Sequence, residues 1–350
     1  LPICDVVNNG TLTFNRTGAL TFAGAVTGTG GLNVQGGLAL TMTGGSTYSG
    51  DTAVSESALI LSDGGSIVGT GVTSIAGPNS ALTVRGPGSM LSTGTLNVAT
   101  TIDAVSTVTI ENGGVVAVGG TASIGYTPAS GVQAILNVTG AGSRLSVGGQ
   151  FLLGIRQSQV LDATFADGAV IESDSARIGT GFTPTMTKTV TLSGAGTRWT
   201  NAQDLRFENG TLSILDGATM STGSALIAQI AAATELLVSG SGSSFSSLGD
   251  LSAGGTNGTA VITLADGGRL GVGGAFTLGY VASATGSGTL NIGGAEGQAA
   301  AGAAVCWRRQ RSRSDRARRG SILTTPRRTT PSPRRSRVRA RSTRWRASPA

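Results

Sequence analysis

Short runs of alternating hydrophobic and polar residues, separated by glycine-rich corners, make up most of this chain. Typical runs are Thr95-Leu-Asn-Val98 and Val108-Thr-Ile110, in which every second residue is apolar. A two-residue period indicates β-strands with one buried face. No segment keeps the 3.6-residue period of a helix for ten residues or more; the alanine-rich stretch 225–233 comes nearest and occupies a strand position of the repeat. We therefore predict an all-β fold with almost no helix.

One pattern recurs four times: a β-type run that ends in Gly-x-Gly-Ser/Thr. Its first glycines are Gly86, Gly140, Gly194 and Gly240, at intervals of 54, 54 and 46 residues. A fifth copy begins at 290, with Glu296 in place of the second glycine. A repeat of this length predicts units that stack in one dimension. The four copies are Leu82-Thr-Val-Arg-Gly-Pro-Gly-Ser89, Leu136-Asn-Val-Thr-Gly-Ala-Gly-Ser143, Val190-Thr-Leu-Ser-Gly-Ala-Gly-Thr197 and Leu236-Leu-Val-Ser-Gly-Ser-Gly-Ser243.

Two topologies can use this pattern. An antiparallel sandwich would use the Asn-Gly and Asp-Gly pairs, such as Asn112-Gly113 and Asp167-Gly168, as hairpin turns. A parallel β-helix would place equivalent residues of successive coils above one another. We favour the β-helix, because stacked coils tolerate the shorter third unit as the loss of a loop. Each unit then corresponds to two or three coils, and about 13 coils would form a rod on the order of 60 Å long.

Charge is divided unevenly along the chain. Residues 301–350 hold 16 of the 25 basic residues, all arginine, and one acid, Asp315. The remaining 300 residues hold nine basic and seventeen acidic residues. An acidic body argues against nucleic-acid binding by the repeats. We therefore divide the chain into a repetitive region at 1–300, with long repeats that start near 82, 136, 190, 236 and 290, and a low-complexity basic tail at 301–350.

The residue inventory excludes several kinds of site. The chain has no histidine, and its two cysteines, Cys4 and Cys306, lie near opposite ends. A disulfide framework or a Cys/His metal cluster is therefore not expected. There is no apolar run near 18 residues, and we predict no membrane span. The absence of an initiating Met suggests a fragment of a longer protein.

The segment after Gly30 resembles a known family. Gly30-Gly-Leu-Asn-Val34, Leu38-Ala-Leu-Thr-Met42, the corner Thr47-Tyr-Ser-Gly50 and the strand Thr52-Ala-Val54 are similar to the passenger-associated repeat of bacterial autotransporters. The later 54-residue units resemble the longer repeats of the same passenger domains, so the resemblance covers about residues 8–295. It implies a right-handed β-helical passenger that is exported through a C-terminal outer-membrane translocator barrel to the cell surface of a Gram-negative bacterium.

The basic tail has two interpretations. At face value, 308–346 is an Arg/Ser/Pro/Thr segment typical of a disordered nucleic-acid-binding arm. The abrupt change near 303–310 is also what a GC-rich gene produces when it is translated out of frame, and a one-base shift across 324–347 permits passenger-like sequence. We favour the frameshift, which predicts a disordered tail without an evolved function.

Candidate chemistry is sparse. Asp63, Asp167, Asp216 and Asp266 each precede a glycine and are expected to shape turns. The denser acidic set around them, with Arg156 and Arg177 nearby, leaves one alternative: paired carboxylates of a β-helical polysaccharide-degrading enzyme, or a calcium site. That set is Asp162, Asp167, Glu172 and Asp174.

Other conspicuous residues are expected to be structural. We predict that the scattered aromatic residues cap coil ends or fill wide corners rather than form a ligand-stacking stripe. The single lysine and three arginines at variable positions are expected on solvated faces. The aromatic residues are Tyr48, Tyr126, Trp199, Phe245, Phe276 and Tyr280, and the basic residues are Lys188, Arg85, Arg144 and Arg198.

The sequence therefore predicts no catalytic, cofactor-binding or metal-binding residue. Its leading functional interpretation is a non-enzymatic, surface-exposed or secreted stalk for adhesion or cell–cell contact, with host or neighbouring-cell surface components as partners. The alternatives are the polysaccharide-degrading enzyme and, if the tail is genuine, nucleic-acid binding through it.

Overall fold

The computed structural model describes residues 4–99, 105–125, 132–155, 159–180, 188–230, 233–279 and 285–293, with the backbone alone at 159 and at 307–309. These parts of the chain contain strands, turns and bends, and none of them is helical. Every strand pairing recorded among them is parallel. The predicted all-β parallel β-helix is therefore confirmed, and the antiparallel sandwich is excluded for this part of the chain. The right-handed sense of the coil stays a prediction.

The strands are short and follow one another closely. Those of the first turns are β1 Val6–Val7, β2 Thr11–Asn15, β3 Gly18–Phe22, β4 Val26–Thr27, β5 Gly31–Gln35, β6 Leu38–Met42, β7 Gly45–Ser46, β8 Thr52–Ser55, β9 Ala58–Leu61, β10 Ser66–Val68 and β11 Val72–Ala76. Those of the middle turns are β12 Ser80–Arg85, β13 Met90–Thr93, β14 Thr95–Val98, β15 Val105–Glu111, β16 Val115–Val118, β17 Ala122–Ile124, β18 Val132–Thr139, β19 Arg144–Leu153, β20 Gln159–Ala166, β21 Val170–Ile178, β22 Lys188–Ser193, β23 Arg198–Asn201, β24 Asp204–Phe207, β25 Gly210–Leu215, β26 Thr219–Thr222 and β27 Ser224–Ile227. Those of the last turns are β28 Ala233–Ser239, β29 Ser244–Ser247, β30 Leu251–Ala253, β31 Thr259–Ala265, β32 Arg269–Val272, β33 Phe276–Leu278, β34 Ser287–Ile292 and β35 Trp307–Arg309.

From β6 to β33, each full turn contributes one strand segment to each of three parallel ladders, whereas β1 and β4 of the first turns form a separate two-stranded sheet. The first ladder is a twelve-stranded sheet that runs from β3 to β34. The second and third ladders form one 21-stranded sheet, because β19 and β21 continue without interruption from one ladder into the other. The first ladder contains β3, β6, β9, β12, β15, β18, β20, β22, β25, β28, β31 and β34; the second contains β7, β10, β13, β16, β19, β21, β23, β26, β29, β32 and β35; the third contains β2, β5, β8, β11, β14, β17, β19, β21, β24, β27, β30 and β33.

Strand register explains the 54-residue repeat as two turns. In the first ladder Leu82 lies opposite Val108, and Val108 lies opposite Leu136, which begins the next repeat. The same column continues through every turn of this sheet. Its twelve members are Leu20, Leu40, Leu59, Leu82, Val108, Leu136, Ala163, Val190, Leu212, Leu236, Ile262 and Leu290.

Two kinds of corner alternate between the first and second ladders, which is why two turns are needed to complete a repeat. One turn has the Gly-x-Gly-Ser/Thr corner, and the next has an Asn-Gly or Asp-Gly pair, which we call the Asx-Gly corner. For example, the Gly140–Ser143 corner is followed one turn later by Asp167-Gly168. The sequence therefore repeats each time the same kind of corner returns, which takes two turns. One turn of the coil takes about half as many residues.

The short third unit has lost a loop, as predicted. Between the third and first ladders, β21 ends at Ile178 and β22 begins at Lys188. One turn later β24 ends at Phe207 and β25 already begins at Gly210. The shortening is divided between two successive turns, because Val190, Leu212 and Leu236 lie 22 and 24 residues apart, whereas Leu136, Ala163 and Val190 lie 27 residues apart. The strands on both sides keep their pairing, so the stack stays intact. The alanine-rich stretch also behaves as predicted, since its first residues belong to strand β27.

The interior is a narrow apolar column with polar residues at one edge. Inward-facing Leu, Val and Ile side chains are almost fully buried along all three ladders. At the bend between the second and third ladders the inward side chains are polar in four successive turns: Ser173, Asn201, Thr222 and Ser247. The Asn201 amide donates to Thr222 Oγ1 at 3.0 Å, and the Ser247 hydroxyl donates to the Asp250 carbonyl at 3.0 Å. These bonds satisfy polar groups that the bend would otherwise bury unpaired.

The basic tail lies almost entirely outside the described residues. The exception is the backbone of Trp307–Arg309, which pairs with β32 and extends the second ladder beyond residue 300. The out-of-frame origin of the tail and its disorder stay predictions. No helix among the described residues is long and apolar enough to cross a membrane.

Candidate interaction faces and the corners between them

The Gly-x-Gly segments are corners of the coil, as predicted. Both glycines of each motif have φ between 83° and 97°, which side chains with a Cβ rarely adopt. In each motif the Ser or Thr N–H donates to the carbonyl of the first glycine, at 3.1–3.2 Å. No helix follows these glycines, so they do not form a phosphate-binding loop at a helix N-terminus.

The Ser/Thr that ends each motif has a role that the sequence analysis missed. Its hydroxyl is buried and accepts a hydrogen bond from the glycine N–H of the Asx-Gly corner one turn earlier. Ser143 Oγ accepts from Gly113 N at 3.1 Å, and Thr197 Oγ1 accepts from Gly168 N at 2.9 Å. Thr197 also donates to the Ser193 carbonyl at 2.7 Å. The signal for this role was in the sequence, because a hydroxyl residue ends all four copies.

The acidic corner residues also shape turns, as predicted. Asp63, Asp167, Asp216 and Asp266 have φ between 49° and 58°, the left-handed region that Asp tolerates better than most residues. Hydrogen bonds recorded for their carboxylates come from serine hydroxyls: Ser62 donates to Asp63 at 3.0 Å, and Ser239 to Asp266 at 3.1 Å. The predicted turn is therefore correct, and left-handed backbone is its main physical basis.

The denser carboxylate set is spread over different faces of the coil. Asp162 is exposed on the outer side of the first ladder, and Glu172 lies on the outer side of the second ladder, where it pairs with Arg144. Asp167 occupies the corner between these ladders, and Asp174 is exposed near the next bend. Of the two nearby arginines, Arg177 lies on the third ladder, and Arg156 is outside the described residues. Within the described residues, no three His, Cys, Asp or Glu side chains are grouped as a metal site requires.

One small cavity lies beside Tyr48, near the bend between the second and third ladders. The enclosed space has room for about one water molecule, far less than a small-molecule site requires. Tyr48 is buried, its hydroxyl lies 2.6 Å from Thr52 Oγ1, and desolvation raises the pKa of the phenol. No carboxylate lines the cavity, whose walls are Tyr48, Gly50, Thr52, Ile67, Gly69, Gly71, Thr73, Ser92 and Thr93.

Among the described residues, the large aromatic side chains lie inside the coil or pack against its interior, and they form no exposed stripe. Tyr48, Trp199 and Phe245 are at most 1% exposed, and Phe276 is partly buried. Trp199 contacts two phenylalanines edge to face, Phe151 and Phe165, with ring centroids 5.6 and 5.7 Å apart. These residues fill the interior within strands as well as at wide corners. Tyr126 and Tyr280 lie outside the described residues.

Lys188 is buried, so the prediction that it lies on a solvated face was wrong. The three arginines predicted with it, Arg85, Arg144 and Arg198, are exposed as predicted. Lys188 is 1% exposed and faces inward, opposite Leu161 of the previous turn. Burial lowers the pKa of its amine below 10.5. The alternation of the strand held the signal, because Lys188 shares its face with the buried Val190 and Leu192.

We expect the free energy of unfolding of the wild type to rise with pH as the pH approaches 10.5, and that of Lys188→Met to lack this rise. The pKa of the Lys188 amine is lower in the folded chain, so the unfolded chain binds the proton more tightly. The folded wild type therefore loses less by deprotonation than the unfolded chain, and the difference in stability between wild type and variant should change in favour of the wild type as the pH approaches 10.5.

Denaturant unfolding of wild type and Lys188→Met at neutral pH and above pH 10.5 measures this difference. Arg198→Met is the matched control, since it removes one exposed positive charge. A stability difference between Lys188→Met and the wild type that stays constant with pH would contradict the buried-amine explanation.

Glu208 holds the shortened corner together and was also missed by the sequence analysis. It is fully buried, and its Oε1 accepts from Arg206 Nε at 2.7 Å. Its Oε2 accepts from two backbone groups of the next turn, Gln229 N at 2.9 Å and Ile230 N at 3.2 Å. The carboxylate thus takes the place of the missing loop by bonding directly to the turn above.

The outer side of the first ladder offers a continuous face that runs through twelve strands. Its central outward column, which we call the threonine column, has one member in each of the twelve strands and no charged residue. Ten of the twelve members carry a hydroxyl or an amide. They are Thr21, Thr41, Ile60, Thr83, Thr109, Asn137, Thr164, Thr191, Ser213, Leu237, Thr263 and Asn291.

The outer side of the second ladder differs in charge. Its outward positions include Arg144, Glu172, Arg198 and Arg269, interspersed with serine and threonine. The first ladder also carries charges, such as Asp162 and Glu235, but they lie in the columns beside the threonine column. Two neighbouring faces therefore present different chemistry to a partner.

Comparison with known proteins identifies a relative of part of the chain. The chain is 36% identical over 254 residues to the "Adhesin BmaC autotransporter" of Brucella suis biovar 1 (strain 1330). The matched region is 71% of this chain, and it spans 7% of the length of that relative. No protein-family model matches the chain. No solved structure matches it either.

Proposed function

Because the chain fits an autotransporter passenger domain in both its sequence and its solenoid fold, we propose that it is a segment of the rod of a surface adhesin. In this role it contributes, without enzymatic activity, to adhesion or to cell–cell contact. The full-length protein would carry a C-terminal translocator barrel and display the rod at the cell surface or release it from there.

The observation that carries this proposal is the similarity to a protein named an adhesin, over most of the chain. The fold is compatible with it, since stacked turns extend one surface pattern over the length of the rod. A multivalent partner could then be held by many weak contacts, whose combined strength exceeds that of any single contact.

We propose the threonine column as the adhesive face. It is uncharged and runs through all twelve strands, and most of its side chains are partly exposed. Hydroxyl and amide groups at this spacing can donate and accept hydrogen bonds with a polyhydroxylated surface, such as the glycan coat of a cell. Because the column has no charge, attachment through it should depend little on ionic strength.

Beads coated with the full chain should attach to cultured host cells or to neighbouring bacteria, and attachment should survive an increase to about 1 M salt. The double variant Thr109→Glu with Thr191→Glu should lower attachment by about tenfold or more, because each carboxylate would have to be desolvated against the partner. The measurement is the number of beads bound per cell.

Thr200→Glu with Ser246→Glu adds the same charge to the outer side of the second ladder and serves as the control. Equal losses from both double variants would refute the threonine column as the adhesive face while leaving the adhesin proposal in place. Absence of attachment by the wild-type chain to any cell type would refute the adhesin proposal for this segment.

The polysaccharide-degrading alternative makes a different prediction. It requires two carboxylates about 5–10 Å apart beside a cleft, and the acidic set is instead divided between faces and a corner. Release of reducing ends from cell-surface polysaccharide by the wild-type chain, lost in an Asp162→Asn variant, would favour the enzyme over the adhesin.

A further inference from the structure

The Asx-Gly corners contain a peptide bond that is prone to spontaneous rearrangement. The glycine nitrogen can attack Cγ of the preceding Asp or Asn, closing a succinimide ring. Water leaves when the residue is Asp, ammonia leaves when it is Asn, and the N–H proton departs with the leaving group. Water then opens the ring, mostly at the backbone side, and leaves an isoaspartyl residue with one extra backbone methylene. The reaction needs no catalyst or cofactor.

Four of the five corners hold this nitrogen in a hydrogen bond. The acceptor in each case is the Ser/Thr hydroxyl of the Gly-x-Gly-Ser/Thr corner one turn later, and all four hydroxyl residues are at most 1% exposed. A bonded N–H is held away from its own side chain and gives up its proton less readily. The bonds are Gly64 N to Ser89 Oγ at 3.2 Å, Gly113 N to Ser143 Oγ at 3.1 Å, Gly168 N to Thr197 Oγ1 at 2.9 Å and Gly217 N to Ser243 Oγ at 2.9 Å.

The fifth corner, Asp266-Gly267, differs from the others. It has the same left-handed backbone, but the Gly267 N–H has no hydrogen-bond acceptor among the described residues. In the sequence, the fifth copy of the motif has Gly297 where the other copies have Ser or Thr. Asp63 is a useful comparison, because both carboxylates accept a bond from a serine hydroxyl, whereas the Gly64 N–H is hydrogen-bonded to Ser89.

We propose that Asp266-Gly267 is a site of spontaneous isoaspartate formation, and that the motif hydroxyls protect the other four Asx-Gly corners from this modification. The Ser/Thr of each repeat thus has a chemical role in addition to its contribution to stability. An isoaspartyl residue would lengthen a corner that is matched to its neighbours turn by turn. Protection therefore preserves the register of the whole stack during prolonged exposure outside the cell.

Ageing of the full chain at neutral pH and physiological temperature, followed by peptide mapping for isoaspartate, tests the proposal. We expect the modification at Asp266 to accumulate about tenfold faster than at Asp63, Asp167 or Asp216, since a hydrogen bond of ordinary strength must otherwise be broken first. Equal rates at all four aspartates would overturn the proposal.

Thr197→Val removes one protecting hydroxyl while preserving side-chain shape, and Thr197→Ser keeps the hydroxyl. In Thr197→Val the rate at Asp167 should rise about tenfold, and the rate at Asp216 should not change. In Thr197→Ser the rates at Asp167 and Asp216 should both stay low. An unchanged rate at Asp167 in Thr197→Val would overturn the protective role of the hydroxyl. If Thr197→Val instead accelerates every corner because it loosens the coil, the wild-type comparison of Asp266 with Asp63 decides the question.

Discussion

Trp199→Ala is expected to lower the free energy of unfolding by about 3–5 kcal/mol, the largest effect of any substitution considered for this chain. The indole is fully buried and contacts Phe151 and Phe165 edge to face. Its Nε1–H donates to Ser173 Oγ at 2.9 Å. Truncation would therefore leave a cavity between successive turns and remove the hydrogen-bond donor to Ser173 at the bend between the second and third ladders.

Chemical denaturation followed by far-ultraviolet circular dichroism measures this loss. Arg198→Ala is the adjacent control on the opposite, exposed side of the strand, and it should change stability by no more than about 0.5 kcal/mol. Trp199→Phe should lower the free energy of unfolding by an amount between those of the two alanine variants, since it keeps most of the apolar volume. Because coils contact only their neighbours, unfolding can proceed in more than one step, and the transition of the central turns is the one to compare. A Trp199→Ala midpoint equal to that of Arg198→Ala would show that the interior there is not closely packed.

Glu208→Ala is expected to lower the free energy of unfolding by about 2–4 kcal/mol. Removal of the carboxylate leaves the N–H groups of Gln229 and Ile230 without their acceptor at a partly buried corner. It also removes the partner of the Arg206 guanidinium, although that side chain is 37% exposed and water can replace part of the interaction. The loss of the two hydrogen bonds from backbone N–H groups to Glu208 should therefore account for most of the decrease in stability.

Two variants separate these contributions. Arg206→Ala removes only the ion pair and should cost less than Glu208→Ala. Asp204→Ala removes an exposed carboxylate from the same strand and should have almost no effect. The same denaturation measurement applies to all three. If Arg206→Ala lowers the free energy of unfolding as much as Glu208→Ala, the ion pair rather than the bonds to backbone N–H groups stabilises the corner.

The fold could be predicted because its determinants are local. Two-residue alternation sets which side of each strand is buried, and Asn-Gly, Asp-Gly and Gly-x-Gly segments allow the left-handed backbone that each corner requires. The spacing of Gly86, Gly140 and Gly194 then implies stacking. The sequence allows two or three coils per unit, because it shows the period of the corners but not the number of times the chain passes around the axis between them; strand register gives two.

The roles of individual polar residues were harder to predict. Lys188 was assigned to the surface on residue type alone, although its alternation with Val190 and Leu192 indicated the interior. The sequence around Glu208 contains no comparable signal, since the contribution of this residue to stability depends on backbone N–H groups of the next turn. The threonine column is similar: its members are scattered at irregular intervals along the chain and become one column only when the strands pair in register.

The sequence by itself determined the all-β class, the repeated corners and the stacked architecture, because these follow from interactions between residues a few positions apart. Only the tertiary structure decided which groups meet between turns: the Thr197 hydroxyl with Gly168 N, the Glu208 carboxylate with Gln229 N, and the indole of Trp199 with Phe165. These partners lie more than twenty residues apart, and their contact depends on the exact number of residues in each intervening loop. Loop length varies from turn to turn, so strand register, which the folded chain alone reveals, sets those contacts.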